Sequence, residues 1–195
     1  MNLQTRVINI LSKPKEEWPV IASESTDVAA LYKEYIMPLA AIPAICGFVG
    51  MTVVGVSVPF LGQIRTPIAS GITGLVVGYV LSLLGVFLAA FIVDKLAPSF
   101  QSSGGMVQAL KMVAYASTAS WAAGVLQIVP VLGVLALLAA LYGIYLFYLG
   151  LPFVMKTPPD KVIPYMIVSA IVIIVISIVT ASISGVFMGV SRLVS

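Results

Sequence analysis

Four polar side chains at one end of two apolar segments are the residues of this chain best placed to do chemistry. Asp94 and Lys111 carry opposite charges on either side of a short loop, and Gln108 and Tyr115 lie within about one helical turn of Lys111. A lysine inside an apolar segment costs free energy, which a carboxylate partner reduces. The spacing therefore predicts an Asp94–Lys111 ion pair supported by Gln108 and Tyr115, as a polar intramembrane site for a lipid headgroup, an ion or a peptide. The alternative is that Lys111 only extends its ammonium to the headgroups.

Sequence motifs of known enzymes are absent. The chain has no histidine, which removes the commonest metal ligand and the commonest general base, and its one cysteine, Cys46, has no partner for a disulfide. The patterns HExxH and GxSxG and the phosphate-binding P-loop do not occur. The hydroxyls of Ser117, Thr118 and Ser120 have no base beside them. We therefore expect a protein that is not an enzyme and that has no catalytic residue, metal site or cofactor.

Five apolar segments must position the polar residues. The hydrocarbon core of a membrane is about 30 Å thick, and a helix needs about 20 apolar residues to cross it. The predicted spans are 36–61, 68–93, 106–129, 131–155 and 163–190. The chain is 61% hydrophobic and 9% charged, whereas a soluble domain has about 25% charged residues. The sequence thus predicts an all-α polytopic membrane protein, with a five-helix transmembrane bundle over residues 36–190.

Residues 1–35 are predicted to form short interfacial amphipathic helices before the bundle. In the first helix, one face is apolar and Arg6 takes the other; the apolar face consists of Leu3, Val7, Ile10 and Leu11. A second helix is expected from Thr26 or Asp27 to Tyr35. Helices of this kind lie in the headgroup region, with Trp18 and the tyrosines as anchors. The alternative is a solvated tail that folds onto the loops.

The basic residues are distributed unequally between the two sides of the predicted bundle. One side carries most of them, namely Arg6, Lys13, Lys15, Lys33, Lys95, Lys111, Lys156 and Lys161. The opposite side carries Arg65 and Arg192. Because basic residues are concentrated on the cytoplasmic side of membrane proteins, we expect a cytoplasmic N-terminus and an external C-terminus. The predicted location is the cytoplasmic, or inner, membrane.

Tyrosines recur three residues apart in the fourth predicted span, at Tyr142, Tyr145 and Tyr148. A tyrosine in a membrane must place its hydroxyl against a polar group. This aromatic stripe is therefore expected to face the bundle and bond to hydroxyls or backbone carbonyls, or else to line a hydrated cavity.

Small residues recur at four-residue spacing in the second and fifth predicted spans. Such residues let another helix approach closely. The candidate residues for this close packing are Gly74, Gly78, Ala181, Gly185 and Gly189. They predict packing within the bundle or, on the fifth span, the face of a homodimer or other homo-oligomer.

Short segments in a characteristic order run along nearly the whole chain. They are Arg6–Leu11 with Pro14 and Glu17–Pro19, then Asp94–Pro98, Gln108–Lys111, Ala114–Ser117, Leu141–Tyr142, Gly150–Pro152 and Met155–Lys156. In their order and spacing the chain resembles the Yip family, named for eukaryotic proteins that interact with Ypt/Rab GTPases, and it looks most like the small bacterial members. Similar sequences often have a proline shortly after the tyrosine–serine step of the third span. Residues 118–121 have none, so the resemblance does not imply a kink there.

The resemblance implies a five-span membrane protein with a cytosolic N-terminus. Eukaryotic relatives act in vesicle trafficking and membrane organisation without known catalysis. Our first hypothesis is accordingly a non-catalytic protein that organises membrane lipid or binds a partner protein through its N-terminal segment. The alternative is a transporter or channel for a small solute, ion or lipid, with its polar site near Lys111, and a lipid-modifying enzyme ranks third. The net charge of +3 comes without a basic cluster interleaved with aromatics, so nucleic acid is not an expected partner.

Overall fold

A computed structural model of the chain describes residues 2–58, 60 and 62–194. The surroundings of the side chains are described for these residues up to 187, with the exception of residue 58. Two short helices come first, α1 (Leu3–Ser12) and α2 (Pro14–Ser23). The Asn2 side chain accepts a hydrogen bond from the Gln4 N–H (3.1 Å) and so caps α1. Pro14 occupies the first turn of α2. Its missing N–H costs no hydrogen bond there, because N–H groups in the first turn have no acceptor within the helix.

The first long helix, α3, extends over Val28–Val54. Asp27 caps it by accepting a hydrogen bond from the Ala30 N–H (2.8 Å), which confirms the expected helix start. The helix does not end near Tyr35, because no glycine or proline interrupts residues 28–37. It continues through a π-helical turn, Tyr32–Ile36, into the apolar segment. The expected boundary between residues 35 and 36 therefore lies inside a continuous helix.

The first apolar segment ends earlier than residue 61. Gly55 has a φ of +80°, a left-handed conformation that ends α3 after Val54. A short antiparallel hairpin follows, in which β1 (Val56–Val58) pairs with β2 (Gly62–Ile64). The predicted span, 36–61, included β1 and the turn because Val56, Val58 and Phe60 are apolar, and it stopped before β2.

Three more helices are long and apolar: α4 (Ile68–Leu96), α7 (Ala136–Val154) and α8 (Pro159–Val194). A 3-10 turn, Ala97–Phe100, continues α4, and another, Pro130–Leu135, leads into α7. Helix α8 packs along α4 and also contacts α7. Within the described residues, α3, α4, α7 and α8 are the four helices whose length and composition suffice to cross a membrane.

The third predicted span, 106–129, is divided into shorter pieces. They are α5 (Met106–Ala116), α6 (Thr118–Ala123) and a 3-10 turn, Gly124–Ile128. At the break, the Ser117 hydroxyl donates to the Val113 carbonyl (2.7 Å), a type of contact that bends helices. The described part of the chain thus has four long membrane-capable helices where we expected five, and the remaining segment is not one continuous helix.

Helix α5 lies at the centre of the hydrophobic core. Residues 109–116 are all buried, without the exposed face of a surface helix. Helices α4 and α7 pack against α5, and residues of α1 and α2 complete its surroundings. The polar side chains of α5 therefore meet the N-terminal segment rather than solvent.

Candidate functional site

Four charged side chains connect the N-terminal segment to α5: Arg6, Glu17, Glu24 and Lys111, here called the charged cluster. The Arg6 guanidinium is 4% exposed and donates hydrogen bonds to the carboxylates of both Glu17 and Glu24. Glu17 is 6% exposed and also accepts a hydrogen bond from Asn9 Nδ2 (3.1 Å). Breaking a buried ion pair costs several kcal/mol, about 3–5, because one charge is left uncompensated. These contacts therefore hold α1 against α2 and the residues that follow it.

Lys111 reaches from α5 to the end of α2. Its ammonium donates hydrogen bonds to the carbonyl oxygens of Ile21 (2.9 Å) and Glu24 (2.5 Å), and its side chain is buried. Carbonyls at the C-terminal end of a helix lack intrahelical donors and carry partial negative charge. Lys111 satisfies both of these carbonyls, so α2 and α5 are joined by a buried cation.

The predicted Asp94–Lys111 ion pair is wrong. The Lys111 ammonium is bound by α2, and the ion pairs found among the described residues do not include Asp94. Asp94 lies half-buried near the end of α4. The Oε1 atom of Gln108 is buried, and no hydrogen-bond partner for it occurs in the described part of the chain. Of the four predicted site residues, the structure places Lys111 and Tyr115 beside the charged cluster and leaves Asp94 and Gln108 outside its hydrogen bonds.

Aromatic rings enclose the charged cluster. The Tyr115 ring centroid lies 4.4 Å from that of Tyr35 and 6.3 Å from that of Trp18. The Arg6 guanidinium carbon is 5.7 Å from the Tyr115 centroid, a distance at which a cation and a π-system attract each other. The hydroxyls of Tyr35 and Thr118 are hydrogen-bonded (2.7 Å). Tyr115 therefore belongs to the site, but its charged neighbour is Arg6 rather than Asp94.

Trp18 is a core residue and not the interfacial anchor that we expected. Its indole is fully buried against α5 and α7. A Cβ atom at Gly150 would lie 2.8 Å from Trp18 Cε2 and Cζ2 and 2.9 Å from Met112 Sδ. Such distances are too short for real side chains, so the absence of a side chain at Gly150 creates the space that Trp18 fills.

The tyrosine stripe of α7 is divided between the core and the surface. The Tyr142 hydroxyl donates to the Leu11 carbonyl at the end of α1 (2.8 Å), as expected for a tyrosine that faces the bundle. Tyr145 and Tyr148 are 41% and 40% exposed. Residues three apart rotate by about 60° around a helix at each step, so the three rings do not share one environment.

The predicted small-residue positions differ in what they contact. Gly74 and Gly78 border an apolar groove of about 280 Å³ between α3 and α4, and Ser184 Oγ of α8 is 3.9 Å from the Cβ position of Gly78. On α8, Ala181 is exposed and the Cβ position of Gly185 has no atom within 4 Å. The surroundings of Gly189 lie outside the described residues. The homodimer face therefore remains a prediction.

A polar pocket of about 640 Å³ opens beside the charged cluster, here called the N-terminal pocket. It lies between α1, the segment after α2 and the first turns of α3. Its wall includes Arg6, Glu24, Thr26, Glu34, Tyr35 and Tyr115. The pocket shows that the site is open on one side and can admit a small polar group.

Sequence reasoning missed the inward orientation of Arg6. Arg6 lies three residues after Leu3 and four before Ile10, so it belongs to the same stripe of α1 as these apolar residues. The charge of Arg6 alone predicts a place on the polar face. A basic residue on an apolar stripe, followed by acidic residues at Glu17 and Glu24, is the signal that could have indicated a buried ion pair.

Comparisons with known proteins agree with the sequence motifs. The family described as Yip1 domain matches residues 8–181. Two curated relatives, both named inner membrane protein YohC, come from Escherichia coli strains K12 and O6:H1. Each is 24% identical over 122 residues, which cover 63% of this chain and 63% of the relative. No solved structure matches. Since the family match covers most of the chain, this protein is an integral membrane protein that belongs to the Yip1 domain family.

Proposed function

We propose that this protein is a non-catalytic membrane organiser that binds membrane lipid or a partner protein through its N-terminal segment. The observation that supports this function is the fixed attachment of α1 and α2. The charged cluster and the buried Trp18 hold both helices on α5, so their outer faces have a defined position at one end of the bundle.

The outer faces of α1 and α2 carry the side chains that a membrane surface or a partner would contact. Ile8 is 54% exposed and Val20 is 43% exposed. Lys13 and Lys15 lie between them in sequence and are also exposed. Exposed aliphatic residues beside lysines are typical of helices that lie on an anionic membrane surface.

The proposed topology has five crossings, four by the long helices and one by residues 106–128. At about 1.5 Å per residue this broken segment reaches roughly 30–35 Å, the thickness of the hydrocarbon core. Its packing between α4 and α7 supports this arrangement. The distribution of lysine and arginine then gives a cytoplasmic N-terminus and an external C-terminus. The names of the two E. coli relatives support a location in the inner membrane.

The transport alternative needs a hydrated path to Lys111. Lys111 is 2% exposed, and its ammonium is bound by two backbone carbonyls. Arg6 and Glu24 lie on the wall of the N-terminal pocket, whereas Lys111 lies behind it. These contacts favour a structural role for Lys111, so we do not favour transport.

Photo-crosslinking in cells tests the proposed function on the intact chain. A photoreactive residue is placed at Ile8, Lys15 or Val20, and matched controls are placed at Ile171 and Ile178, which are 56% and 60% exposed on α8. We expect the N-terminal positions to give discrete adducts with a protein or with a phospholipid headgroup, and the α8 positions to give acyl-chain adducts. Absence of N-terminal adducts would contradict the proposal.

A flux assay separates the two hypotheses further. Proteoliposomes that contain the intact protein or Lys111→Met are loaded with a panel of ions and small solutes. We expect the same leakage from both and from empty liposomes. Flux that is specific to the intact protein and lost in Lys111→Met would support transport and contradict our proposal.

A further inference from the structure

The N-terminal pocket carries an excess of negative charge. The charged cluster is neutral as a whole, because Arg6 and Lys111 balance Glu17 and Glu24. Glu34 also lies on the pocket wall, is exposed, and takes part in no ion pair among the described residues. The Glu24 side chain is still 39% exposed beside it. A cation that enters the pocket therefore meets one unneutralised carboxylate and a second, partly accessible one.

The remaining wall is suited to an ammonium group. Tyr35 and Tyr115 also border the pocket, but their side chains are buried, and the Tyr115 ring already contacts Arg6 and Tyr35. The hydroxyls of Ser25 and Thr26 supply further acceptors for an N–H donor. The pocket is less suited to an anionic headgroup, because the guanidinium of Arg6 is already bonded to two carboxylates.

The position of the pocket indicates where such a cation comes from. The pocket lies at the first turns of α3, which is one of the membrane-capable helices. Leu3 and Leu31 contribute apolar wall next to the polar groups. A wall that combines polar and apolar groups is expected at the depth of lipid headgroups, between the hydrocarbon core and the water.

From these observations we infer that the N-terminal pocket binds the primary ammonium group of a zwitterionic phospholipid headgroup, with Glu34 as the principal acceptor. This inference deepens the proposed function and rests on it, because it names the lipid contact of the N-terminal segment. The ammonium lies against the Glu34 carboxylate in the pocket, and the phosphate and acyl chains extend towards the bilayer.

Lipid binding to the intact protein tests this inference. The purified protein is titrated with phosphatidylethanolamine, phosphatidylglycerol or phosphatidylcholine, and bound lipid is counted by native mass spectrometry. We expect phosphatidylethanolamine to bind about tenfold more tightly than phosphatidylglycerol, which corresponds to one charge-assisted hydrogen bond. Phosphatidylcholine is expected to bind more weakly than phosphatidylethanolamine, because its methylated nitrogen has no N–H donor.

Substitution at Glu34 locates the binding. Glu34→Gln is expected to weaken phosphatidylethanolamine binding about tenfold and to leave phosphatidylglycerol binding unchanged. The matched control is Glu16→Gln, because Glu16 is an exposed carboxylate of α2 outside the pocket wall. Glu34 is exposed, so the variant is expected to fold, and circular dichroism verifies this.

The outcomes separate this inference from the proposed function. Equal binding of the first two lipids, or an unchanged preference in Glu34→Gln, would overturn the assignment of the pocket even if N-terminal crosslinks persist. Free ethanolamine is added as a competitor, and competition at concentrations as low as those of the lipid would assign the site to a soluble amine and overturn the lipid assignment. Loss of the crosslinks with a retained lipid preference would contradict the proposed function alone.

Discussion

Lys111 combines a buried aliphatic stem with an ammonium that binds the carbonyl oxygens of Ile21 and Glu24. Hydrogen bonds that involve a charged group contribute about 1.5–3 kcal/mol each. The same residue would be very unfavourable in this position if α2 were absent, since a buried, unpaired cation costs far more. One side chain of α5 thus makes the core depend on the N-terminal segment.

Lys111→Met tests this dependence with little change in side-chain volume. The substitution leaves the buried Ile21 carbonyl and the partly buried Glu24 carbonyl without this donor, so we expect the free energy of unfolding to fall by about 2–4 kcal/mol. Lys15→Met, at an exposed position of α2, is the control and is expected to change it by less than about 0.5 kcal/mol. Equilibrium unfolding in mixed detergent micelles measures both, and equal effects would contradict the role of Lys111.

Gly150→Val tests the space that Trp18 occupies. The chain has two tryptophans, so the experiment uses Trp121→Phe as background and reads the fluorescence of Trp18 alone. We expect the valine to displace the indole, which shifts its emission to longer wavelength and makes residues 3–23 easier to cleave by protease. Gly185→Val is the control, because no atom lies within 4 Å of its Cβ position. Unshifted emission in Gly150→Val would contradict the packing described here.

Single residues of the site could be predicted from the sequence only in part. Lys111 and Tyr115 are recognisable because polar side chains within an apolar segment are few. The acceptors of Lys111 were not predictable, because backbone carbonyls have no sequence signature and Glu24 lies 87 positions away in the chain. Asp94 was chosen because it is the nearest carboxylate in sequence, and sequence proximity does not decide packing between helices.

Among the elements, hydropathy locates the long helices better than their ends. Helices α4, α7 and α8 overlap their predicted spans closely. The hairpin after α3 was missed because valine and isoleucine suit strands and membrane helices equally. Of the breaks in residues 106–128, the one at Ser117 coincides with a local hydrogen bond to Val113, whereas the one at Gly124 coincides with close packing against another helix. At Gly124, an added Cβ would lie 2.8 Å from Pro43 Cα of α3.

Cysteine labelling tests whether residues 106–128 cross the membrane. Ser103→Cys and Val131→Cys place single thiols before and after this segment, in a Cys46→Ser background. Both positions are exposed, Val131 to 79%. With a membrane-impermeant maleimide added to intact spheroplasts, we expect labelling at position 131 and none at position 103 until the membrane is permeabilised. Labelling of both from one side would contradict the five-crossing topology.

In the whole molecule, the N-terminal segment and α5 form one folding unit. Ile10, Trp18 and Ile21 are completely buried in the same core as α5. The sequence indicated amphipathic helices before the bundle, but their partner surface follows only from the packing of the complete chain. Removal of residues 1–35 is therefore expected to destabilise the bundle, so substitutions on the outer faces of α1 and α2 are the better probes of function.

Hydrogen–deuterium exchange of the intact protein in lipid nanodiscs tests this attachment most directly. We expect the hydrogen-bonded amides of α1 and α2 to exchange as slowly as those of α5, since local opening must break the same core. Arg6→Met is expected to speed their exchange roughly tenfold or more, because Glu17 and Glu24 lose their buried partner. The control, Lys13→Met, is expected to leave the exchange rate unchanged. Exchange of these amides at the rate of an unfolded chain in the unmodified protein would contradict the account.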